Sequence, residues 1–329
     1  MSDSRVFSID HFTPTLHTQP CSQLLPANNR LSSPFAVVVI GASRGVGAGI
    51  AAAYAKAGAS LLILAARNTD ELASVARSLV ADSTTASPKV LTHYCDVASP
   101  TSVKSFAAFV RAQLASHDLP KLDACIFNSG YSGQVHLRLT DGDPEDGQWE
   151  TSFAVNALGT YHAAHYFVPL LRAELMQSTS ELKNPGSFVA VGSFASCITT
   201  GVIANSKYCI SKMAQARIVE HLAEQFGSSQ NQEQGNQGPP GMLAVAVHPG
   251  AVDTQMARDS CPEDFYKYLT DSPDLCGAFC VWLTKDPDRV MWLNGRLLSA
   301  TWDPDELLAK RDDVIKGDLL KFVAVTSKQ

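Results

Sequence analysis

"PFAVVVIGASRGVGAGIAAAYAKAGASLLILAARN" occupies Pro34–Asn68, and the order of residue types within it decides the fold. Pro34–Ile40 is a continuous apolar, β-branched run that stops at Gly41. A run apolar on both faces reads as a buried parallel strand. Gly49–Ala59 is alanine-rich and reads as a helix ended by Gly58, and Ser60–Ala66 reads as a second buried strand. Between the first strand and the helix stand Gly41, Gly45 and Gly47. Residues without Cβ let the backbone approach a pyrophosphate, which then sits at the positive end of the helix. Glycine serves ordinary tight turns too; its place between a buried strand and an alanine-rich helix is what points to a dinucleotide.

The alternation continues along the chain. Lys89–Cys95, Leu122–Asn128, Gly186–Ser193 and Met242–Gly250 read as strands, and Arg296–Trp302 as a final edge strand. Ser102–Ala115, a long stretch Trp149–Met176 and a segment around Tyr208 read as helices. Strand–helix alternation of this length predicts an α/β single domain, a doubly wound parallel sheet of about seven strands with helices on both faces. Residues 1–33 are polar, carry Pro14, Pro20 and Pro26, and read as an extended N-terminal arm. The sheet domain is expected over 34–300, followed by a C-terminal helical extension over 301–329. Residues 227–241, rich in Gln, Asn and Gly, read as a flexible surface insertion with no catalytic role. The loop Tyr131–Gln148 follows a strand's carboxyl end, where open sheets bind ligands.

Bulk properties exclude several classes. A 329-residue chain with 45% hydrophobic residues has material for a sizeable core. A net charge of −6 with no basic block argues against nucleic-acid binding. The eight cysteines show no CxxC or Cys/His spacing, so neither a metal site nor a disulfide framework is expected. The start lacks the pattern of a secretory signal, and no apolar run reaches the ~20 residues that span a bilayer. These features suggest a reducing, cytoplasmic setting without membrane partners.

"NSKYCISKMAQARIVEHLAEQF" (Asn205–Phe226) places apolar or small residues at Ile210, Met213, Ala214, Ile218 and Leu222, the one-face pattern of a helix. Residues four apart share a face, so Tyr208 and Lys212 present a phenol and an ammonium together. A positive charge favours the phenolate, which makes a tyrosine usable for proton transfer. A solvated lysine beside a half-buried tyrosine would look the same, so this pair needs other motifs beside it.

The second strand bears on which dinucleotide binds. An acid at its carboxyl end would bond the ribose 2′-hydroxyl of NAD. Ala65 and Ala66 stand there instead, followed by Arg67 and Asn68, with Arg44 in the glycine turn. Two arginines and no carboxylate suit a 2′-phosphate, hence NADP(H) over NAD(H). Either arginine alone would pass for a solvated surface residue.

The glycine turn, "FNSG" at Phe127–Gly130 and Tyr208-x-x-x-Lys212 occur in order over roughly Phe35–Ser299, and together resemble the short-chain dehydrogenase/reductase family. That resemblance implies a Rossmann-like fold. It implies cofactor contacts from Gly41, Ser43, Arg44, Gly45, Val46 and Gly47; from Arg67, Asn68, Asp96 and Val97; and from Asn128 and Gly130. "HPGAVDT" resembles the family's segment beside the nicotinamide, with Pro249, Gly250, Val252 and Thr254. The implied catalytic set is Asn156, Ser193, Tyr208 and Lys212, with Ser196 as the alternative serine. Ser193 precedes Tyr208 by fifteen residues, slightly more than the family's commonest spacing. In the family mechanism Lys212 binds the nicotinamide ribose and lowers the Tyr208 pKa, Tyr208 exchanges the proton, Ser193 bonds the carbonyl oxygen and Asn156 holds a water. A helix-kink role for Asn156 and a strand-end cap role for Ser193 are the plain alternatives. A homodimer or homotetramer is implied as well. "FTPTLHTQP" and the last thirty-odd residues resemble the flanks of a fungal branch that modifies secondary metabolites.

Asp253–Phe279, with Phe265, Tyr266, Tyr268, Leu269, Leu275 and Phe279, reads as a substrate lid, although a core helix would also carry such aromatics. Two functions remain on these grounds. One is a redox enzyme acting on a ketone or secondary alcohol; the other is a redox-silent relative serving as a cofactor-bound cyclase or binding protein. Retention of the whole catalytic set favours the first.

Overall fold

The computed structural model of the chain describes residues 9–81, 88–172, 186–227 and 241–324. The apolar runs become seven strands: β1 (Ala36–Ile40), β2 (Leu61–Ala66), β3 (Lys89–Tyr94), β4 (Ala124–Phe127), β5 (Ser187–Val191), β6 (Leu243–His248) and β7 (Leu297–Ser299). They form one parallel sheet in the order β3-β2-β1-β4-β5-β6-β7. β1 lies between β2 and β4, and its five residues are all buried, which is why its sequence is apolar without alternation. The edge strand β3 mixes exposed and part-buried positions and has no fully buried one. β7 is shorter than the expected Arg296–Trp302, because only Leu297–Ser299 pairs with β6. Strand order reverses between β1 and β4, so the crevice of such sheets opens there, at the carboxyl ends.

Helices cover both faces. α1 (Gly45–Ala57) is closed by Gly58 at φ 98°, as its sequence position anticipates. α2 (Thr69–Ala81) and α3 (Pro100–Ser116) follow, the latter capped by Ser99, whose hydroxyl accepts the Ser102 N–H. The long helix expected over Trp149–Met176 is interrupted. α4 (Gln148–Ser152) and α5 (Gly159–Leu171) are joined by a π-helical turn, Phe153–Leu158. Asn156 lies in that turn, its carbonyl accepting the Thr160 hydroxyl at 2.7 Å, and π turns concentrate at functional sites. Met176 and most of the expected insertion (228–240) lie outside the described residues.

α6 (Ser206–Phe226) corrects the expected apolar face. Ile210 and Met213 are more than 40% exposed, whereas Lys207, Cys209, Ser211, Lys212, Gln215 and Val219 are buried. The buried polar groups are tolerated because they bond one another: Ser211 to Ser152 at 3.0 Å and Gln215 to Thr160 at 2.8 Å.

After β6 come α7 (Gln255–Asp259), a 3₁₀ segment Glu263–Tyr268 with no buried residue, and α8 (Pro273–Thr284). Leu275 and Phe279 are fully buried in α8, which packs on α1; a Cβ at Gly49 would stand 2.3 Å from Pro273 O. The part of the expected Asp253–Phe279 lid that lies in α8 is therefore packed core. α9 (Pro287–Val290) leads to β7, then α10 (Pro304–Ala309) and α11 (Arg311–Gly317).

The N-terminal segment is no free arm. Leu24 and Leu31 are buried, Leu16 bridges Trp302, and Trp302 Nε1–H donates to Asp10 O at 3.0 Å. Thr15 gives both its N–H (2.9 Å) and its hydroxyl (2.7 Å) to Glu306.

Candidate active site

A cavity of about 1430 Å³ runs along the carboxyl ends of the strands. The glycine turn forms one end. Gly41 adopts φ 88°, and a Cβ there would meet Ser129 N at 2.7 Å. A Cβ at Gly47 would stand 2.0 Å from Gly41 O and 2.6 Å from Asn128 Nδ2. Asn128 itself donates to Gly41 O at 2.8 Å, tying β4 to the turn. Gly47 thus acts from behind the cavity, while Gly41, Ser43, Arg44, Gly45 and Val46 line it.

Arg67 and Asn68, at the end of β2, also line the cavity, together with Asp96, Val97, Asn128, Gly130, Pro249, Gly250, Val252 and Thr254. Asp96 Oδ1 accepts the Ala98 N–H at 3.1 Å, and Thr254 caps α7 by accepting the Ala257 N–H. Sequence reading missed Glu71, in the first turn of α2, which lines the same end with its N–H on Asn68 Oδ1. Cradle and exposed guanidinia together suit a phosphorylated dinucleotide.

Tyr208, Lys212 and Ser193 converge at the middle of the cavity. Lys212 is 4% exposed and donates to Val191 O (2.8 Å) and Gln215 Oε1 (2.9 Å), which leaves one of its three N–H groups. Burial lowers its pKa to about 7. Burial also pushes the Tyr208 phenol up to about 12, against the pull of a hydrogen bond with the Ser193 side chain. In the protein alone, burial thus outweighs the lowering by the Ser193 hydrogen bond.

Ser193 Oγ accepts the Ala195 N–H at 3.1 Å. The Ser196 hydroxyl turns away and donates to Ser193 O at 2.7 Å, and of the two serines only Ser193 lines the cavity.

Asn156 is fully buried behind the cavity wall. Its Oδ1 accepts the Tyr131 N–H at 2.8 Å, and its Nδ2 donates to Tyr131 O (2.8 Å) and Ser211 Oγ (2.9 Å). Its side chain thus clamps the start of the loop after β4. Asn205 and Lys207 extend that clamp. Asn205 Nδ2 donates to Ser132 O at 3.0 Å, and the wholly buried Lys207 reaches Gln134 O and the His136 ring.

His248, which the sequence places only in the Met242–Gly250 strand and the segment HPGAVDT, lines the cavity at the end of β6. Its ring stacks on Phe194 at 4.3 Å, and its Nδ1 accepts the Phe194 N–H at 3.4 Å. Burial, then the nearby Lys212, lowers its pKa to about 3, so it is neutral. Residues of the N-terminal segment complete the far wall, a contribution with no local sequence signal. His17, Cys21 and Asp303 bring possible ligand atoms within 4.8 Å of one another, the one such group among the described residues. Asp303 there already caps α10 and pairs with His17. No helix among the described residues is long and apolar enough to cross a membrane.

Comparison with known proteins bears on the family and the fold. The model of the short chain dehydrogenase family matches residues 36–264. "Short chain dehydrogenase pgmD" of Aspergillus terreus is 34% identical over 320 residues, 95% of this chain and 93% of the relative. "Short chain dehydrogenase mpl6" of Monascus purpureus is 34% identical over 88% of each chain. Among solved structures, the Pseudomonas aeruginosa RhlG/NADP active-site complex superposes with a TM-score of 0.65 at 20% identity, over 83% of this chain and 96% of that one. An alcohol dehydrogenase of Thermococcus sibiricus complexed with 5-hydroxy-NADP gives 0.61 at 24%, over 81% and 96%. At these identities the structures speak for the fold.

Proposed function

We propose that this chain, which belongs to the short chain dehydrogenase family, is an NADP(H)-dependent oxidoreductase acting on a ketone or secondary alcohol of a small apolar or aromatic metabolite. The observation that carries this is the convergence of Tyr208, Ser193 and Lys212 on the cavity that the glycine turn opens. The bound nicotinamide supplies the hydride chemistry. Tyr208 delivers a proton to the substrate oxygen in reduction and removes it in oxidation. Ser193 holds that oxygen by a hydrogen bond and keeps the phenol in place. Lys212 uses its remaining N–H on the nicotinamide ribose, and its charge favours the phenolate. Asn156 acts through Tyr131, fixing the loop that borders the cavity.

Arg44 and Arg67 receive the 2′-phosphate, since β2 ends in buried alanines rather than an acid. One observation favours NAD(H) as a second reading: the Glu71 carboxylate at the same end is suited to a ribose hydroxyl. Homodimeric or homotetrameric assembly belongs to the same proposal, supported by the exposed Leu158 at the end of the π turn, Tyr161 on α5, and Ile210 and Met213 on α6. So does a reducing cytoplasmic setting, with no disulfide among the described cysteines.

The test is purified protein with NADPH or NADH and a panel of aromatic and aliphatic ketones, followed by loss of reduced-nicotinamide absorbance. Tight cofactor binding without turnover of any ketone, including a general diketone such as phenanthrenequinone, would favour a redox-silent relative instead.

A further inference from the structure

Two segments outside the stretch 36–264 matched by the family model, one at each end of the chain, meet at a cluster of metal-ligating side chains. A ring nitrogen of His17, the Sγ of Cys21 and a carboxylate oxygen of Asp303 all lie within 4.8 Å of one another. His17 and Cys21 are four residues apart, but Asp303 follows His17 by 286, so no spacing in the sequence announces the set.

Backbone bonds seat all three residues. Leu16 bridges Trp302, and the His17 N–H donates to Thr301 O at 2.7 Å, which places residue 17 beside the start of α10. The Asp303 N–H donates to the Thr13 hydroxyl at 3.2 Å. Asp303 Oδ1 alone accepts both capping N–H groups, from Asp305 and Glu306, at 3.0 Å each. That leaves Oδ2, which faces His17 Nε2 at 2.9 Å. Cys21 is a free, half-buried thiol whose own carbonyl accepts the Leu24 N–H at 2.9 Å and the Leu25 N–H at 3.0 Å, fixing the turn behind it.

The donor set points to one kind of ion. Imidazole nitrogen, thiolate sulfur and carboxylate oxygen together suit zinc, whereas magnesium and calcium take oxygen ligands. With metal–ligand lengths of about 2.0–2.3 Å, neighbouring ligand atoms of a tetrahedral ion stand roughly 3.3–3.6 Å apart. The His17–Asp303 pair is already near that spacing, and the widest side of the triangle closes by no more than about 1.5 Å. Three protein ligands leave the fourth position to water, and the partial exposure of His17 and Cys21 gives it access. Binding releases the thiol proton, and any proton on the ligating ring nitrogen, to solvent.

We propose that His17, Cys21 and Asp303 form a zinc clip that ties the N-terminal segment to the C-terminal extension. Nearby, the two segments are linked by exposed hydrogen bonds, Thr15 with Glu306 and Gln23 with Asp305. An ion shared between them converts its binding free energy into stability of that junction. His17 also lines the active-site cavity, so the clip holds that part of its wall in place. The clip is independent of the redox reading.

The experiment takes the full chain, free of any polyhistidine tag and stripped with a chelator, and titrates it with cobalt(II), a spectroscopic stand-in for zinc. Wild type is expected to bind one equivalent, with a near-ultraviolet thiolate-to-cobalt charge-transfer band and visible bands of four-coordinate intensity, both erased by zinc. Cys21→Ser loses the charge-transfer band, and Cys261→Ser, at another half-buried thiol, keeps it. Asp303→Asn, which retains an oxygen for the α10 cap, weakens cobalt by at least the roughly tenfold that even a partner behind a ligand costs. Zinc raises the Tm of wild type and leaves that of Cys21→Ser where it was. No cobalt band in wild type, a band that survives in Cys21→Ser, or an equal zinc-induced Tm rise in both proteins overturns the proposal. One measurement needs no variant. Zinc, and not magnesium, slows alkylation of Cys21 in wild type, read by peptide mass spectrometry, with Cys261 unaffected; equal alkylation of Cys21 with and without zinc overturns the clip.

Discussion

Lys212 Nζ stands 5.8 Å from the centre of the Tyr208 ring, one turn further along the same face of α6. Burial pushes each of the two groups toward its own neutral form, the amine down to about 7 and the phenol up to about 12. The pair in the free protein is therefore a neutral phenol beside an amine that titrates near neutrality. Adding the negative charge of a dinucleotide favours the ammonium, and the ammonium in turn favours phenolate.

Tyr208→Phe removes the hydroxyl and keeps the ring. Turnover is expected to fall by roughly 10²–10⁴, the usual worth of a positioned general acid, with the NADPH dissociation constant almost unmoved. Rates and binding measured on one preparation decide it; a variant keeping about a tenth of wild-type activity would remove Tyr208 from the proton-transfer role.

Lys212 also makes a prediction about stability. Its folded pKa, about 7, lies below the ordinary 10.5, so between these values the unfolded chain binds more protons. Stability from this group then rises with pH across that window, and the cost of burying the ammonium is greatest below pH 7. Lys212→Met abolishes the titration but leaves Val191 O and Gln215 Oε1 without their donor. The difference in Tm, variant minus wild type, should accordingly be most favourable to the variant below pH 7 and decline as pH rises toward 10. A difference flat in pH would mean that Lys212 stays charged throughout.

Arg67→Ala is expected to weaken NADPH by about ten- to a hundredfold, as loss of a charge-assisted hydrogen bond does, and to leave NADH little changed. Glu71→Gln should move the other way, tightening NADPH by removing a like charge beside the phosphate. Titration of both variants with both cofactors separates the readings. If Glu71→Gln instead loses NADH binding and Arg67→Ala affects both equally, NAD(H) is the cofactor.

The parts legible in the sequence were those written in contiguous residues. The apolar runs Ala36–Ile40 and Leu61–Ala66 meet the demand of a strand buried on both sides, and the glycines between strand and helix meet a steric one. Legibility failed where burial is polar or contacts are distant. The buried face of α6 carries Ser211, Lys212 and Gln215, so counting apolar residues selected the outward face of Ile210 and Met213. For Asn156 the sequence offered a helix kink only as the plain alternative, and its clamp on Tyr131, 25 residues away, had no local pattern. The N-terminal segment meets the C-terminal one across 291 residues, as in Thr15 with Glu306, and no local pattern announces such a contact. Leu275 and Phe279 looked like lid residues because an apolar ligand and an apolar core ask for the same side chains.

That last ambiguity is open to measurement. From Asp253 to Asp271 the chain is held by few contacts: α7 and the 3₁₀ segment bury no residue. Their links are surface ones, a two-pronged Arg258–Asp253 pair and a Tyr266 hydroxyl donating to Arg258 O at 3.1 Å. Exposed pairs of this kind contribute little, so this stretch should open readily in the free protein. It also presents Met256, Phe265, Tyr268 and Leu269 to the cavity, so substrate and cofactor together should close it and exclude water from the reacting atoms. Peptide-resolved hydrogen exchange is expected to show fast exchange over 255–269 that slows on adding NADP with substrate. Exchange over 275–284, where every side chain is buried, should be slow before and after. Uniformly slow, ligand-independent exchange across 255–269 would mean a fixed wall rather than a lid, and selection would then fall to the loop after β4.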